Sequence, residues 1–263
     1  MKPLDESIAA AMDAQQDKAI VPFLPYIFQD FWELGTPPEI VIGCIRKHCL
    51  AGARHALPLR VLDLGCGKGA VSIKIAAALK CSCNGIDGIP EFIKVAKAKA
   101  VEYGVDTLCR FEVGDVRQKV EEWDTTFDVI LFGATGPIFD DYYTALTALS
   151  KHLADEGVII IEEAYTDDTD TVQHPTLLSR SALLMQFGKA GMQLVDETVI
   201  RYSEIADNAK EMENIAKRCN ELKLQYPEKA SLFDNYVQNQ VSEYDVLENR
   251  AGGAVMVLKS VKI

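Results

Sequence analysis

The chain has 263 residues of which 48% are apolar, enough to bury one large core or a core with an insertion. Its formal charge of −12 repels phosphate backbones, so nucleic acid is not an expected partner. No apolar run approaches the roughly 18 residues of a membrane span, and Met1-Lys2-Pro3-Leu4-Asp5-Glu6 lacks the basic-then-apolar pattern of a signal peptide; a cytoplasmic protein is expected, off the membrane.

Residues 1–55 read as a helical cover. Five aromatics gather at Phe23, Tyr26, Phe28, Phe31 and Trp32. Thr36-Pro37-Pro38-Glu39 predicts a helix start with Thr36 as cap and Glu39 completing a capping box, and the helix runs to about Cys49. Residues 56–200 then alternate short apolar runs with longer amphipathic ones. Strands are expected at 61–64, 83–87, 109–114, 127–132, 158–161 and 192–200. Helices are expected at 68–79, 90–103, 140–153 and 175–190. Strand–helix alternation of this kind predicts an α/β fold with a doubly wound sheet, whose ligands lie outside the carboxyl ends of the strands.

The end of the chain changes character. Residues 201–250 read as a helical insertion with two apolar stripes, broken at Pro227. Met212, Ile215, Ala216, Cys219 and Leu222 form the first; Leu232, Phe233, Tyr236, Val237, Val241 and Tyr244 form the second. Residues 251–263 supply a final strand, so that 1–263 reads as a single domain. The seven cysteines read as buried free thiols. Cys81 and Cys83 share a strand face, but no second pair with metal-ligand spacing exists, and no metal is expected.

The chemistry concentrates in Val61-Leu62-Asp63-Leu64-Gly65-Cys66-Gly67-Lys68-Gly69-Ala70. An apolar run reaches an acid, and glycines follow at alternate positions. This predicts a buried strand ending in a turn where backbone approaches a ligand closely, with a helix N-terminus behind it. Asp63 lies inside the strand, where a carboxylate is costly without partners; a cationic ligand or the N–H groups of the turn would supply them. Asp87 ends the second strand, about twenty residues beyond Gly65, where a carboxylate can accept from both ribose hydroxyls of an adenosine. Asp115 ends the third strand, where an acid can take an adenine amino group while the Val116 N–H meets the ring.

These residues resemble the class I S-adenosylmethionine-dependent methyltransferases. Leu62–Gly69 is similar to that family's first motif, Gly85-Ile86-Asp87 to its ribose-binding acid, Gly114-Asp115-Val116 to its adenine motif, and Phe127-Asp128-Val129-Ile130-Leu131-Phe132 to its fourth strand. The resemblance implies a seven-stranded, mostly parallel sheet with an antiparallel last strand. It implies S-adenosyl-L-methionine as cofactor and S-adenosyl-L-homocysteine as product. The implied cofactor-binding set is Asp63, Gly65, Cys66, Gly67, Asp87, Gly88, Asp115, Val116 and Phe132. Transfer is an in-line displacement, so the acceptor site need carry no strong catalytic signature.

The acceptor side is read from absences and a few candidates. Phe132-Gly133-Ala134-Thr135 stands where the amino-methylating nucleic acid enzymes of the family carry an Asn/Asp-Pro-Pro-aromatic motif, no Pro-Cys dipeptide is present, and Phe132 occupies the place of the catechol-type enzymes' metal-binding acid. A small-molecule acceptor is therefore expected. His174 and Glu163 are the candidate catalytic groups; Tyr26, Phe31, Trp32, Thr135 and Tyr165 are the candidate pocket walls. The inserted helices suit a lid over the acceptor or a dimer surface, which makes a homodimer one expected partner. Two alternatives stand beside this reading: a non-catalytic cofactor-binding regulator, and a nicotinamide-dependent oxidoreductase, for which Gly65, Gly67, Ala70 and Asp87 suffice but Asp115 has no use.

Overall fold

The computed structural model describes residues 2–14, 17–51, 58–133, 138–168, 177–201 and 208–261. In chain order it gives helices α1 (Leu4–Ala11), α2 (Leu24–Ile27) and α3 (Pro38–Cys49), with a 3-10 turn at Lys18–Phe23 between the first two. Strand and helix then alternate: β1 (Arg60–Leu64), α4 (Ala70–Leu79), β2 (Ser82–Asp87), α5 (Pro90–Glu102), β3 (Cys109–Val113), α6 (Val116–Glu122), β4 (Phe127–Phe132), α7 (Tyr142–Leu149), β5 (Leu153–Tyr165), α8 (Arg180–Lys189) and β6 (Met192–Ile200). Two long helices, α9 (Asn208–Gln225) and α10 (Ala230–Asn249), precede β7 (Gly252–Ser260).

These elements divide into two units, Glu33–Val199 with Ala254–Ile263 and Met1–Trp32 with Ile200–Gly253. In the first, seven strands among the described residues form one sheet in the order β3-β2-β1-β4-β5-β7-β6. β1 pairs in parallel with β2 and β4, β2 with β3, and β4 with β5, while β7 enters antiparallel between β5 and β6. The strand order reverses at β1 and β4, which opens a crevice at their carboxyl ends. The expected doubly wound fold and antiparallel last strand are both present.

The central strands are apolar on both faces because helices cover both. On one face Leu62, Leu64, Ile130, Phe132, Ile159, Ile161 and Met256 meet α6, α7 and α8 through Val120, Leu146 and Phe187. On the other, Val61, Cys83 and Val129 are fully buried beneath α3, α4 and α5, where Ile45, Ile73 and Ala96 are equally buried. All seven cysteines are free and buried, and the Cys81 and Cys83 sulfurs lie 3.9 Å apart on one face of β2.

Several local expectations are corrected. Thr36 does not cap α3: the capping position is Pro37, no side chain bonds the first turn, and Thr36 instead packs against Gly133. The glycine turn extends through Gly69, so α4 starts at Ala70 rather than Lys68. Helix α6 was not expected; it begins at Asp115, whose carboxylate accepts from the Arg117 N–H. Helix α7 is capped by Asp141 and tightens into a 3-10 turn at Ser150–His152. Strand β5 is much longer than 158–161, so Glu162 and Glu163 lie inside it instead of in the loop beyond.

The second unit is helical. The first apolar stripe is present on α9, with Ile215, Cys219 and Leu222 buried. On α10 Phe233 and Tyr236 are buried as expected, but Val241 is 47% exposed and Gln240 is buried in its place. Gln240 earns that position through its amide, which donates to the Met12 carbonyl, as does the Tyr236 hydroxyl at 3.0 Å. Phe23 packs edge-on against Phe233 and Tyr226. No helix among the described residues is long and apolar enough to cross a membrane.

Candidate functional site

The crevice is built where β1, β2 and β3 end side by side. The turn after β1 is tied to β2: the Gly65 and Cys66 N–H groups both donate to the Ile86 carbonyl, at 2.9 and 3.0 Å. β2 is tied to β3 in turn, where Gly114 N–H donates to the Asp87 carbonyl at 3.0 Å. Asp63 in β1, Asp87 at the end of β2 and Asp115 just after β3 are thereby held at neighbouring positions of the sheet.

Each carboxylate has its own partners. Asp63 is buried and accepts a 2.6 Å hydrogen bond from Ser72 Oγ, on the first turn of α4. Ser72 is a partner from within the chain that the sequence expectation did not include. Burial pushes the Asp63 carboxyl up to about 6, with the Ser72 bond pulling down and the Asp87 charge adding to the rise. Asp87 accepts from Gly67 N–H at 2.9 Å through one oxygen and from Ile89 N–H at 2.8 Å through the other. Burial raises it too to about 6, against those two bonds. Asp115 behaves oppositely: Arg117 holds it below the usual carboxylate range. The guanidinium is bidentate, with Nε at 2.9 Å from Oδ1 and Nη2 at 2.6 Å from Oδ2.

The glycines have different jobs. Gly65, Gly67 and Gly69 all have positive φ, at 69°, 52° and 75°, a backbone region that other residues enter only with strain. At Gly69 a Cβ would lie 2.8 Å from Phe111 and 2.9 Å from Ala96, so this glycine lets α4 pack onto α5 and β3. At Gly67 the contact a Cβ would make among the described residues is with Leu34 Cδ1, at 3.7 Å. The missing side chain of Gly67 therefore leaves space at the crevice. Residues 33–36 pass across this end of the sheet, with Leu34 near Gly67 and Thr36 against Gly133 after β4. Cys66 is buried and its thiol is pushed well up by burial, so it is a packing group and not a nucleophile.

Phe132 points into the core against Phe139 and Tyr142, leaving only its backbone for a ligand. Glu162 and Glu163 alternate to opposite faces of β5 and do not form a pair; Glu163 accepts from the Ala164 N–H at 3.1 Å. Among the described residues no group of three metal-ligating side chains occurs. The Tyr165 hydroxyl donates to Glu197 at 3.2 Å, and Arg180 holds the other Glu197 oxygen at 2.6 Å. Thr135 and His174 lie outside the described residues. Tyr26, Phe31 and Trp32 belong to the helical unit; there Tyr26 donates to Glu221 at 2.7 Å, with Arg218 over its ring, and Phe31 packs on Phe28.

Sequence reading missed Ser72, Arg117 and Leu34. Ser72 and Arg117 each left a trace: a serine on the inward face of an apolar helix, and an arginine two residues beyond the acid that caps its helix. Leu34 left none.

Comparison with known proteins decides the family. A family model described as a methyltransferase domain matches residues 58–219, more than half of the chain. This chain belongs to the class I S-adenosylmethionine-dependent methyltransferases. A family member from Geobacter sulfurreducens, solved with S-adenosyl-L-homocysteine, shares the fold with a TM-score of 0.74 at 20% identity, over 91% of this chain and 98% of its own. The chain is 34% identical over 74 residues to ajmaline N-methyltransferase of Rauvolfia serpentina, covering 28% of this chain and 25% of that protein. It is 32% identical over 106 residues to malonyl-[acyl-carrier protein] O-methyltransferase of Bacillus cytotoxicus, covering 40% and 35%. The chain thus spans only about a quarter to a third of the length of these two relatives.

Proposed function

We propose that this chain transfers the methyl group of S-adenosyl-L-methionine to a small-molecule acceptor by in-line displacement, with S-adenosyl-L-homocysteine as product. The observation that carries this reading is the row of three carboxylates, Asp63, Asp87 and Asp115, around the open position at Gly67. When bound, the cofactor supplies an electrophilic methyl on a positively charged sulfur.

The chain's own residues divide the binding between them. Asp87 keeps one free acceptor direction on each oxygen after its bonds to Gly67 and Ile89, which suits the two ribose hydroxyls. Asp63 would hold the cofactor's amino group, Asp115 its adenine amine, and the Val116 N–H, which has no acceptor within its own helix turn, the adenine ring. Gly65, Cys66, Gly67, Gly88 and Phe132 contribute backbone. The space at Gly67 and the lone pairs at Asp87 fit this ligand on the structure's own terms. Alignment of the two reactants is the main catalytic contribution and is worth roughly 7–11 kcal/mol in favourable cases. Glu163 and His174 are the proposed bases for an acceptor proton, worth about 10²–10⁴-fold, and Thr135 and Tyr165 are the proposed acceptor walls.

Titration calorimetry with S-adenosyl-L-homocysteine tests the donor half of this reading. Micromolar binding is expected, and no heat at high micromolar protein and ligand would overturn it. Relatives carry both N- and O-methyltransferase names, so a turnover screen should hold amines, phenols and carboxylic acids, read as S-adenosyl-L-homocysteine formation.

A further inference from the structure

Arg117 is the least expected charge at the crevice. It is a cation only 5% exposed, on the second residue of a short helix, and it folds back on the acid that caps that helix. Asp115 Oδ1 accepts from both the Arg117 backbone N–H, at 3.0 Å, and the Arg117 Nε, at 2.9 Å. Asp115 Oδ2 accepts from Arg117 Nη2 at 2.6 Å. A carboxylate has about four acceptor directions. Three of them are taken by one residue, and the fourth, on Oδ2, is left.

Two consequences follow from the fork. The carboxylate plane is fixed, because rotating it would break two parallel hydrogen bonds to a rigid planar group. The carboxylate also stays ionised, because the guanidinium keeps its charge at every working pH. What Asp115 presents is then a single acceptor with no way to turn into a donor. A ligand edge placed against it must bring an N–H or O–H; a carbonyl there would leave two acceptors facing each other in a desolvated place.

We infer that Arg117 is a positioning residue that sets the cofactor's base specificity, by locking Asp115 as a one-direction acceptor that takes a purine with a 6-amino group and rejects one with a 6-oxo group. The inference rests on the proposed S-adenosylmethionine reading and assigns to Arg117 a role in it. Lysine cannot replace the fork: it offers a point charge that leaves the carboxylate free to rotate.

The test compares S-adenosyl-L-homocysteine with its 6-oxo counterpart, S-inosyl-L-homocysteine, by calorimetry on the whole chain. Wild type should prefer the amino form by roughly 10- to 100-fold, the worth of a hydrogen bond to a charged group. Arg117→Lys should cut that preference to about threefold or less, and the Asp115→Asn change should do the same. The double variant should match Asp115→Asn alone, because Arg117 acts only through Asp115. Thermal unfolding identifies any variant that has lost its fold, and Arg117→Gln then serves in place of the lysine variant. A folded Arg117 variant that keeps the wild-type preference overturns the inference, and so does a wild type that binds both ligands equally. A wild type that binds neither overturns the methyl-transfer reading itself, a visibly different result.

Discussion

The two ends of the crevice are built differently. At the β1–β3 end each carboxylate has a partner close by in the chain: Asp115 has Arg117, Asp63 has Ser72 nine residues on, and Asp87 has Ile89 beside the more distant Gly67. Toward β4 and β5, apart from the local Ala164–Glu163 bond, polar contacts reach further along the chain. Tyr165 reaches Glu197, 32 residues away, and the Tyr142 N–H donates to Gln186, 44 residues away. Local partners make a site whose side chains are fixed by few elements. Distant partners make one that depends on the whole sheet and can vary in shape without disturbing the donor end. A common cofactor and a changing acceptor would ask for this division.

The largest expected effect lies at the local end. Asp87→Ala removes the proposed ribose acceptor and strips Gly67 and Ile89 of theirs; affinity for S-adenosyl-L-homocysteine should fall by about 10²-fold or more. Calorimetry on folded variant measures it, and a loss below tenfold would break the proposed division. Gly69→Ala comes next. It places a Cβ against Phe111 and Ala96 at a positive φ, and should lower unfolding stability by about 2–4 kcal/mol in urea titrations.

The pH response sharpens the comparison further. The Asp63 and Asp87 carboxyls are raised from an ordinary 3.8 to about 6. Raised carboxyls favour the folded state while protonated, so their contribution to stability without ligand is full below pH 3.8 and is lost as pH rises through about 6. Ligand affinity should run the other way, rising from pH 5 to 7 by roughly tenfold for each group whose ionised form binds the ligand, and a flat profile would count against their roles. The smallest effect is expected at the distant end: Tyr165→Phe should lower stability by about 1 kcal/mol and leave S-adenosyl-L-homocysteine affinity within about twofold.

The same contrast explains what was legible in the sequence. Strand β4 and strand β6 follow from apolar patterning and agree with the structure residue for residue. The glycine turn and the three acids stand out because spacing along the chain mirrors spacing across strand ends. Thr36 carried a convincing cap pattern, yet Pro37 took the capping position and the threonine packed against Gly133, a contact no local pattern reports. Helix α6 escaped notice because its seven residues carry few apolar ones. Glu162 and Glu163 read as loop acids because charged residues seldom continue a buried strand; the strand runs through them to Tyr165. Gln240 stands in the helical core in place of Val241, where its amide joins the Tyr236 hydroxyl on the Met12 carbonyl, a contact no periodicity reports.

The hydrogen bond from Gly67 to Asp87 has a spectroscopic consequence. An amide proton held at 2.9 Å by a carboxylate that titrates near pH 6 should resonate apart from the other glycine amides, and its frequency should follow the charge on Asp87. Glycine-selective labelling would then turn the turn itself into a resident indicator, reporting ionisation in the empty protein and occupancy once a ligand competes for the same oxygen.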